Sequence, residues 1–324
     1  MKNIYRTLLL TLAFAGAAFA QVPSTTDTTD TAPDPSDVEA QAHEAWNETI
    51  IRTDVPEEGC FHASYPSTQW IKVACTAAPS IPYPPRKGAI GLTVGDGVDY
   101  SAEVPGLLSR SIGSFPSVKG VTTETGLLGL NDYSLQLNSN FMVTAACHHI
   151  SGCRTWEQFV YASDYGSAFM QYWLVDYGDS CPSGWMSDSG SCYKNSAGVS
   201  VPEEAISELA QLKISGKAEL KKFDVLTFTT PTEAYTTTGN DNVVELATAW
   251  QASEFNIFGD GDSSSATFNK GSVVRVKISL TDGSTTAPTC AVNAGTTAET
   301  NNLTLRKCVT GSAAMPWIVF TESN

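Results

Sequence analysis

From Tyr133 to Met142 the chain alternates. Tyr133, Leu135, Leu137 and Phe141 are apolar, and Ser134, Gln136, Asn138 and Asn140 are polar. A period of two is the mark of a strand with one packed face, so the odd positions turn inward and the even ones form a row of amides. The run Phe169–Tyr177 is apolar or aromatic on both faces, with Gln171 and Trp173 sharing one of them. That Trp suits either an ordinary core or the lining of a groove. In WQASEFNIFGDG, residues 250–261, Phe255 and Ile257 share one face while Glu254 and Asn256 share the other. Similar runs recur from about residue 88 to the end, separated by Gly, Asn, Asp, Ser and Thr clusters. The one helical signal among them is SVPEEAISELAQL, with Ser200 as cap and Glu203 three residues on. Many strands and few helices predict an all-β domain over 88–324, two sheets packed face to face as a sandwich or jelly roll.

The first part of the chain reads differently. Lys2 and Arg6 precede the apolar run Leu8–Ala20, which ends Ala18-Phe19-Ala20. This is the pattern of an export signal over residues 1–20, so a secreted or periplasmic protein is expected. Residues 21–37 are polar, repetitive and Pro-containing, the composition of a disordered linker. Val38 to Arg52 suits a short helix capped by Ser36 or Asp37. GCFHASYPSTQWIKVAC suits a hairpin closed by a disulfide, and APSIPYPPRK is Pro-rich and extended. Residues 38–87 therefore stand as a separate, disulfide-containing N-terminal segment.

Composition narrows the chemistry. A net charge of -15, with basic residues sparse and scattered, argues against nucleic acid. No later stretch is long and apolar enough to span a bilayer, so the mature chain is expected off the membrane, as a monomer. Eight cysteines in an exported chain imply disulfides, and the sequence-local couples 60–75, 147–153, 181–192 and 290–308 are the expected pairs. No couple has metal-ligand spacing, and adjacent His148 and His149 point opposite ways on an extended chain; no metal and no cofactor is expected. H-E-x-x-H, G-x-S-x-G and P-loop patterns do not occur. Carboxylates and carboxamides remain. A carboxylate can be general base to a water, and a carboxamide N–H can stabilise the oxyanion that follows.

TWEQFVYASDYGSAFMQYWLVDYG, residues 155–178, resembles the paired central strands of the glutamic peptidases, the eqolisins and the neprosin-like enzymes. AFMQYWLVDYG with the later GSCYKNS is similar to the aromatic strand and turn that follow in those families. ASEFNIFGDGDSSSATFNKGSVVRV is similar to the eqolisin pattern A-E-W-I-x-E, a loop, then another strand. The likeness spans roughly residues 100–280 and fits a divergent, bacterial-type secreted member. Phe255 stands where the pattern has Trp, 256–258 lack its second acid, and no glycine follows Gln158.

The resemblance implies a concanavalin-like double sheet with the site in its concave groove. Glu254 takes the place of the catalytic Glu, and Gln158 or, one register away, Glu157 that of its partner. Gln136, Asn138, Gln171, Trp173 and Asn256 would line the groove for a polypeptide substrate, with acid-favoured activity. Residues 38–87 would be a propeptide or groove cover; an accessory domain or tether is the other reading. The same sandwich also serves lectin-like carbohydrate-binding modules. There Glu254 would accept a ligand hydrogen bond, and GDGDSSS would be a Ca²⁺ loop or a plain turn. A glycosidase would need a second carboxyl, from Glu157 or Asp176.

Overall fold

The computed structural model describes residues 35–292 and 295–324; the expected export signal, residues 1–20, and most of the expected linker, residues 21–37, lie outside them. Two large, mainly antiparallel sheets, of nine and ten strands, make a β-sandwich. In the ten-stranded sheet the neighbours run Met186–Asp188, Ser191–Asn195, Ser167–Val175, Arg154–Ala162, Tyr133–Ser139, Ala252–Gly259, Ser101–Glu103 and Thr289–Ala291. At the centre of the nine-stranded sheet are Phe223–Thr229, Lys213–Lys217, Arg110–Lys119 and Val273–Thr281.

The alternation read from the sequence sets what lies between the sheets. Leu135, Leu137, Phe159, Tyr161, Tyr172, Phe255 and Ile257 are buried there with Ile214, Leu226, Phe228 and Ile278 of the other sheet. Three rings are seated on bare backbone. A Cβ at Gly113 would stand 2.2 Å from the Phe255 ring, one at Gly216 2.4 Å from Phe159, and one at Gly239 1.8 Å from Tyr172 Oη. Tyr161 stacks on Phe228 with ring centroids 4.2 Å apart.

The N-terminal segment is built into this sandwich. Cys60–Ser64 pairs with Glu233–Asn240, and Ile71–Val73 adds the next strand outward. The helix runs Pro35–Ile50, so Ser36 and Asp37 lie in its first turn, where the Asp37 carboxylate meets the positive end of the helix dipole. Its Trp46 and Ile50 pack on Ala63 and Ala234. The hydrogen bonds of Lys213 Nζ to Glu44 and Glu48, 2.6 and 2.8 Å, fix it to the nine-stranded sheet.

The expected helix at 200–212 does not form. Val199 and Ser200 pair instead with Ala168 and Ser167, and only a short 3-10 turn remains, Ile206–Gln211. Sheet pairing outcompetes the local capping signal there.

All four expected disulfides are present: Cys60–Cys75, Cys147–Cys153, Cys181–Cys192 and Cys290–Cys308. The first closes a 15-residue separation. Removing it with Cys60→Ala/Cys75→Ala is expected to cost about 3 kcal/mol, read as a lower urea midpoint.

Candidate active site

The outer face of the ten-stranded sheet carries one continuous polar row. Ser101 is opposite Glu254, Glu254 opposite Asn138, Asn138 opposite Gln158, Gln158 opposite Gln171, and Gln171 opposite Asn195. Each residue is on a different strand, and the shared register puts all six side chains on one face. Four of the six are residues expected at the site: Glu254 and Gln158 as the catalytic pair, and Asn138 and Gln171 as groove residues. Trp173 is one step along, opposite Trp156, with its indole Nε1–H donating to Gln158 Oε1 at 2.8 Å. Gln136 accepts from Gln158 Nε2 at 3.1 Å.

Glu157 is elsewhere. It lies opposite Tyr172, between the sheets, where its carboxyl meets Asp224 of the nine-stranded sheet. One residue of register separates it from Gln158, and it cannot reach the face that carries Glu254. Asp176, the other carboxyl considered for a glycosidase, is at the strand end in an ion pair with Arg154 at 2.6 Å. Asn256 gives its amide to Glu322 Oε1 at 2.7 Å rather than to the row.

Glu254 is completely buried, which excludes a solvated surface acid. Asn138 Nδ2 donates to its Oε2 at 2.8 Å. Burial pushes its pKa up to about 7, against the lowering contacts from Asp99 and Asn138. Asn138 is therefore the amide on Glu254. Gln158 is one strand farther, two strand spacings or roughly 9.5 Å from Glu254 along the sheet.

The face is covered by the chain itself. Pro79–Tyr83 lies across it as an extended peptide. Gln171 grips its main chain at two points, accepting from Tyr83 N–H at 2.7 Å and donating to the Ile81 carbonyl at 3.0 Å. Asn195 donates to the Pro79 carbonyl at 2.6 Å, and Tyr193 Oη to that of Ser80 at 2.8 Å. The Tyr83 ring is buried on Val160, Ala162 and Phe169, and its hydroxyl donates to Asp260. Farther along, Val94 covers Phe141, Trp156, Trp173 and Tyr193. Main-chain groups of residues 79–83 thus partner the amides of Gln171 and Asn195, whereas Asn138 and Gln158 are partnered by side chains of the sheet itself. The Pro-rich stretch read as a linker is this cover.

Several site residues were not legible beforehand. Asp96 and Asp99, in GDGVDYS, each bring a carboxyl oxygen within 4.8 Å of Glu254 and of each other. Glu322 is buried nearby. Two acids in a Gly-rich turn were a visible signal, but nothing local says that the following strand pairs with the one carrying Glu254. The three carboxyls form an all-oxygen set of the kind that suits a hard cation. Asp260 and Asp262 of GDGDSSS do not join them: Asp260 accepts from Tyr83, and the Asp262 N–H donates to the Pro82 carbonyl.

No family model matches the sequence, and no curated protein does. Among solved structures, the chain is similar to SCP-B, a member of the eqolisin family of peptidases in a complex with the tripeptide Ala-Ile-His. The identity is 11%, the TM-score 0.31, and the match covers 71% of this chain and 99% of that one. It is also similar to scytalido-glutamic peptidase with a transition state analog inhibitor, at 9% identity and a TM-score of 0.28 over the same shares. Both likenesses are too distant to pass an activity or a residue's role to this chain. Among the described residues no helix is long and apolar enough to cross a membrane.

Proposed function

We propose that this chain is an exported, monomeric, acid-active endopeptidase of the glutamic type, with residues 78–99 covering its groove. The observation that carries the reading is the double grip of Gln171 on the main chain of Ile81 and Tyr83. A face that binds an extended peptide through side-chain amides is chemically suited to a polypeptide substrate. Beside that grip lies a buried carboxyl whose raised pKa suits a general base near neutral or mildly acid pH.

In this mechanism the cover yields to a substrate strand. Glu254 takes a proton from a water attacking the peptide carbonyl. The amides of Asn138 and Gln158 stabilise the oxyanion. Glu254 then gives the proton to the leaving amine.

The test compares wild type with Glu254→Gln, shown to be folded by circular dichroism, on denatured protein at mildly acid pH, about one unit below the raised pKa of Glu254. A loss of about 10²–10⁴-fold in cleavage is expected. Undiminished cleavage by the variant removes Glu254 from the reaction. Glycan binding without any cleavage by wild type would instead support the carbohydrate-binding reading.

A further inference from the structure

The segment Pro79–Pro84 is held as a bound peptide would be. Five of its six main-chain carbonyls accept hydrogen bonds from groups outside the segment. Asn195, Tyr193 and Gln171 serve Pro79, Ser80 and Ile81. Pro82 accepts from the Asp262 N–H at 2.9 Å, and Pro84 from the Ala298 N–H at 3.2 Å. Pro79, Pro82 and Pro84 have no N–H to give, and the Tyr83 N–H goes to Gln171. Two side chains, two residues apart, have seats of their own. Ile81 rests on Gly261, where a Cβ would stand 2.6 Å from its Cδ1. Tyr83 is fully buried on Val160, Ala162 and Phe169, with Asp260 at the end of its ring. Asp260 accepts the Tyr83 hydroxyl on one oxygen and the Asp164 N–H on the other, at 3.2 Å, so the sandwich itself helps to fix it. All these partners lie outside residues 78–99, and no cysteine between Cys75 and Cys147 ties the segment down. Past Pro85 the chain is exposed at Arg86, Lys87 and Gly88.

We propose that residues 79–84 occupy an exchangeable, sequence-selective peptide site. Its ligands are polypeptides with an aliphatic residue and, two positions on, a tyrosine, and Asp260 is the residue that selects the tyrosine. As a statement about substrates the inference rests on the peptidase reading; as a binding site it stands on these contacts alone. Main-chain hydrogen bonds supply affinity, and pockets for alternate side chains supply specificity. A site that reads mostly carbonyls accepts proline between and after the two seated residues. Asp260 makes the choice at the second seat. Phenylalanine fits the same apolar walls but leaves a buried carboxyl oxygen without its donor. A site built around a hydroxyl rejects the analogue that lacks it more strongly than an apolar pocket rejects a missing methylene. In the intact chain the native segment is a tethered competitor, so an added peptide meets its occupant at high effective concentration.

The experiment titrates two synthetic peptides into the full chain by calorimetry, while mass spectrometry reads whether either is cut. One is Pro-Ser-Ile-Pro-Tyr-Pro-Pro, the sequence of residues 79–85, and the other carries Phe in place of Tyr. The protein is Tyr83→Ala, which empties the second seat, with Tyr83→Phe in its place should the first not fold. The tyrosine peptide is expected to bind the variant at least tenfold more tightly than it binds wild type. The phenylalanine peptide should bind the variant at least tenfold more weakly than the tyrosine one. Adding Asp260→Ala to the variant should bring the two peptides within about twofold of each other. Equal affinities in the presence of Asp260, or no binding of either peptide to the variant, overturn the proposal. Selective binding by a protein that cleaves no polypeptide would uphold the site and remove the peptidase reading. Cleavage of polypeptide with no difference between the two peptides would uphold that reading and remove the site.

Discussion

Unfolded in urea across a pH series, the protein is expected to gain stability as the solution is acidified from about pH 8 to about 4.5, and to lose it again below. The cause is an unusual number of buried carboxyls with few basic partners. Burial raises Glu124 to about 8 and Asp260 to about 7. It pushes Glu157, Asp224, Glu299 and Glu322 well above the ordinary range. A carboxyl with a raised folded pKa binds its proton more tightly in the folded chain. Its contribution is complete below the unfolded pKa and is lost as pH rises through the folded one. Each such group gives a slope of about 1.4 kcal/mol per pH unit inside its window. The acid side is set by groups shifted the other way. The carboxylate of Glu48, though partly desolvated, falls to about 2 beside Lys213 and Arg52, and Asp54 is lowered mainly by its hydrogen bond from Lys217. What they add is present above their unfolded pKa and lost as pH falls toward the folded values. A midpoint that is flat from pH 8 to 5 would show that the buried carboxyls are ionised or hydrated.

Tyr83→Ala is expected to loosen the cover without unfolding the sandwich. The ring is fully buried on Phe169, and its hydroxyl serves Asp260. Truncating an aromatic of this kind costs about 3–5 kcal/mol, and leaving Asp260 without its donor adds to it. Because the contacts belong to the covering segment, the loss should be local. Hydrogen exchange would speed up over 78–99 while the strands carrying Phe159 and Phe255 stay protected. Fluorescence of Trp156 and Trp173, beneath Val94 and its neighbours, should shift to the red. On the peptidase reading, cleavage of added polypeptide should rise. Unchanged exchange over 78–99 would show that Tyr83 does not anchor the cover.

Strand periodicity made the sandwich and much of its site readable. The parity of Leu135, Leu137, Phe255 and Ile257 put them between the sheets, and the same parity put Asn138 and Glu254 together on the other face. Sequence-local cysteines gave the pairing because short loops close easily. What stayed hidden depends on contacts between distant segments. The partners of Gln171 lie about 90 residues upstream, and APSIPYPPRK has no alternation to reveal that it is gripped. Asp99 reaches Glu254 only through pairing across some 150 residues. At 200–212 a good local helix signal lost to a strand neighbour that local sequence does not display.

The Phe255 ring seated on Gly113 reaches the other side of the sheet. Glu254 is the adjacent residue and points the opposite way, so how deep the ring sinks fixes how far the carboxylate stands proud of its own face. Gly113 acts as a depth stop for a group it never touches. Any side chain there would lift the Glu254 strand and shift its carboxyl relative to Asp99 and Asn138. Substitutions that change the site's chemistry can therefore be sought on the far sheet, in residues with no view of the groove.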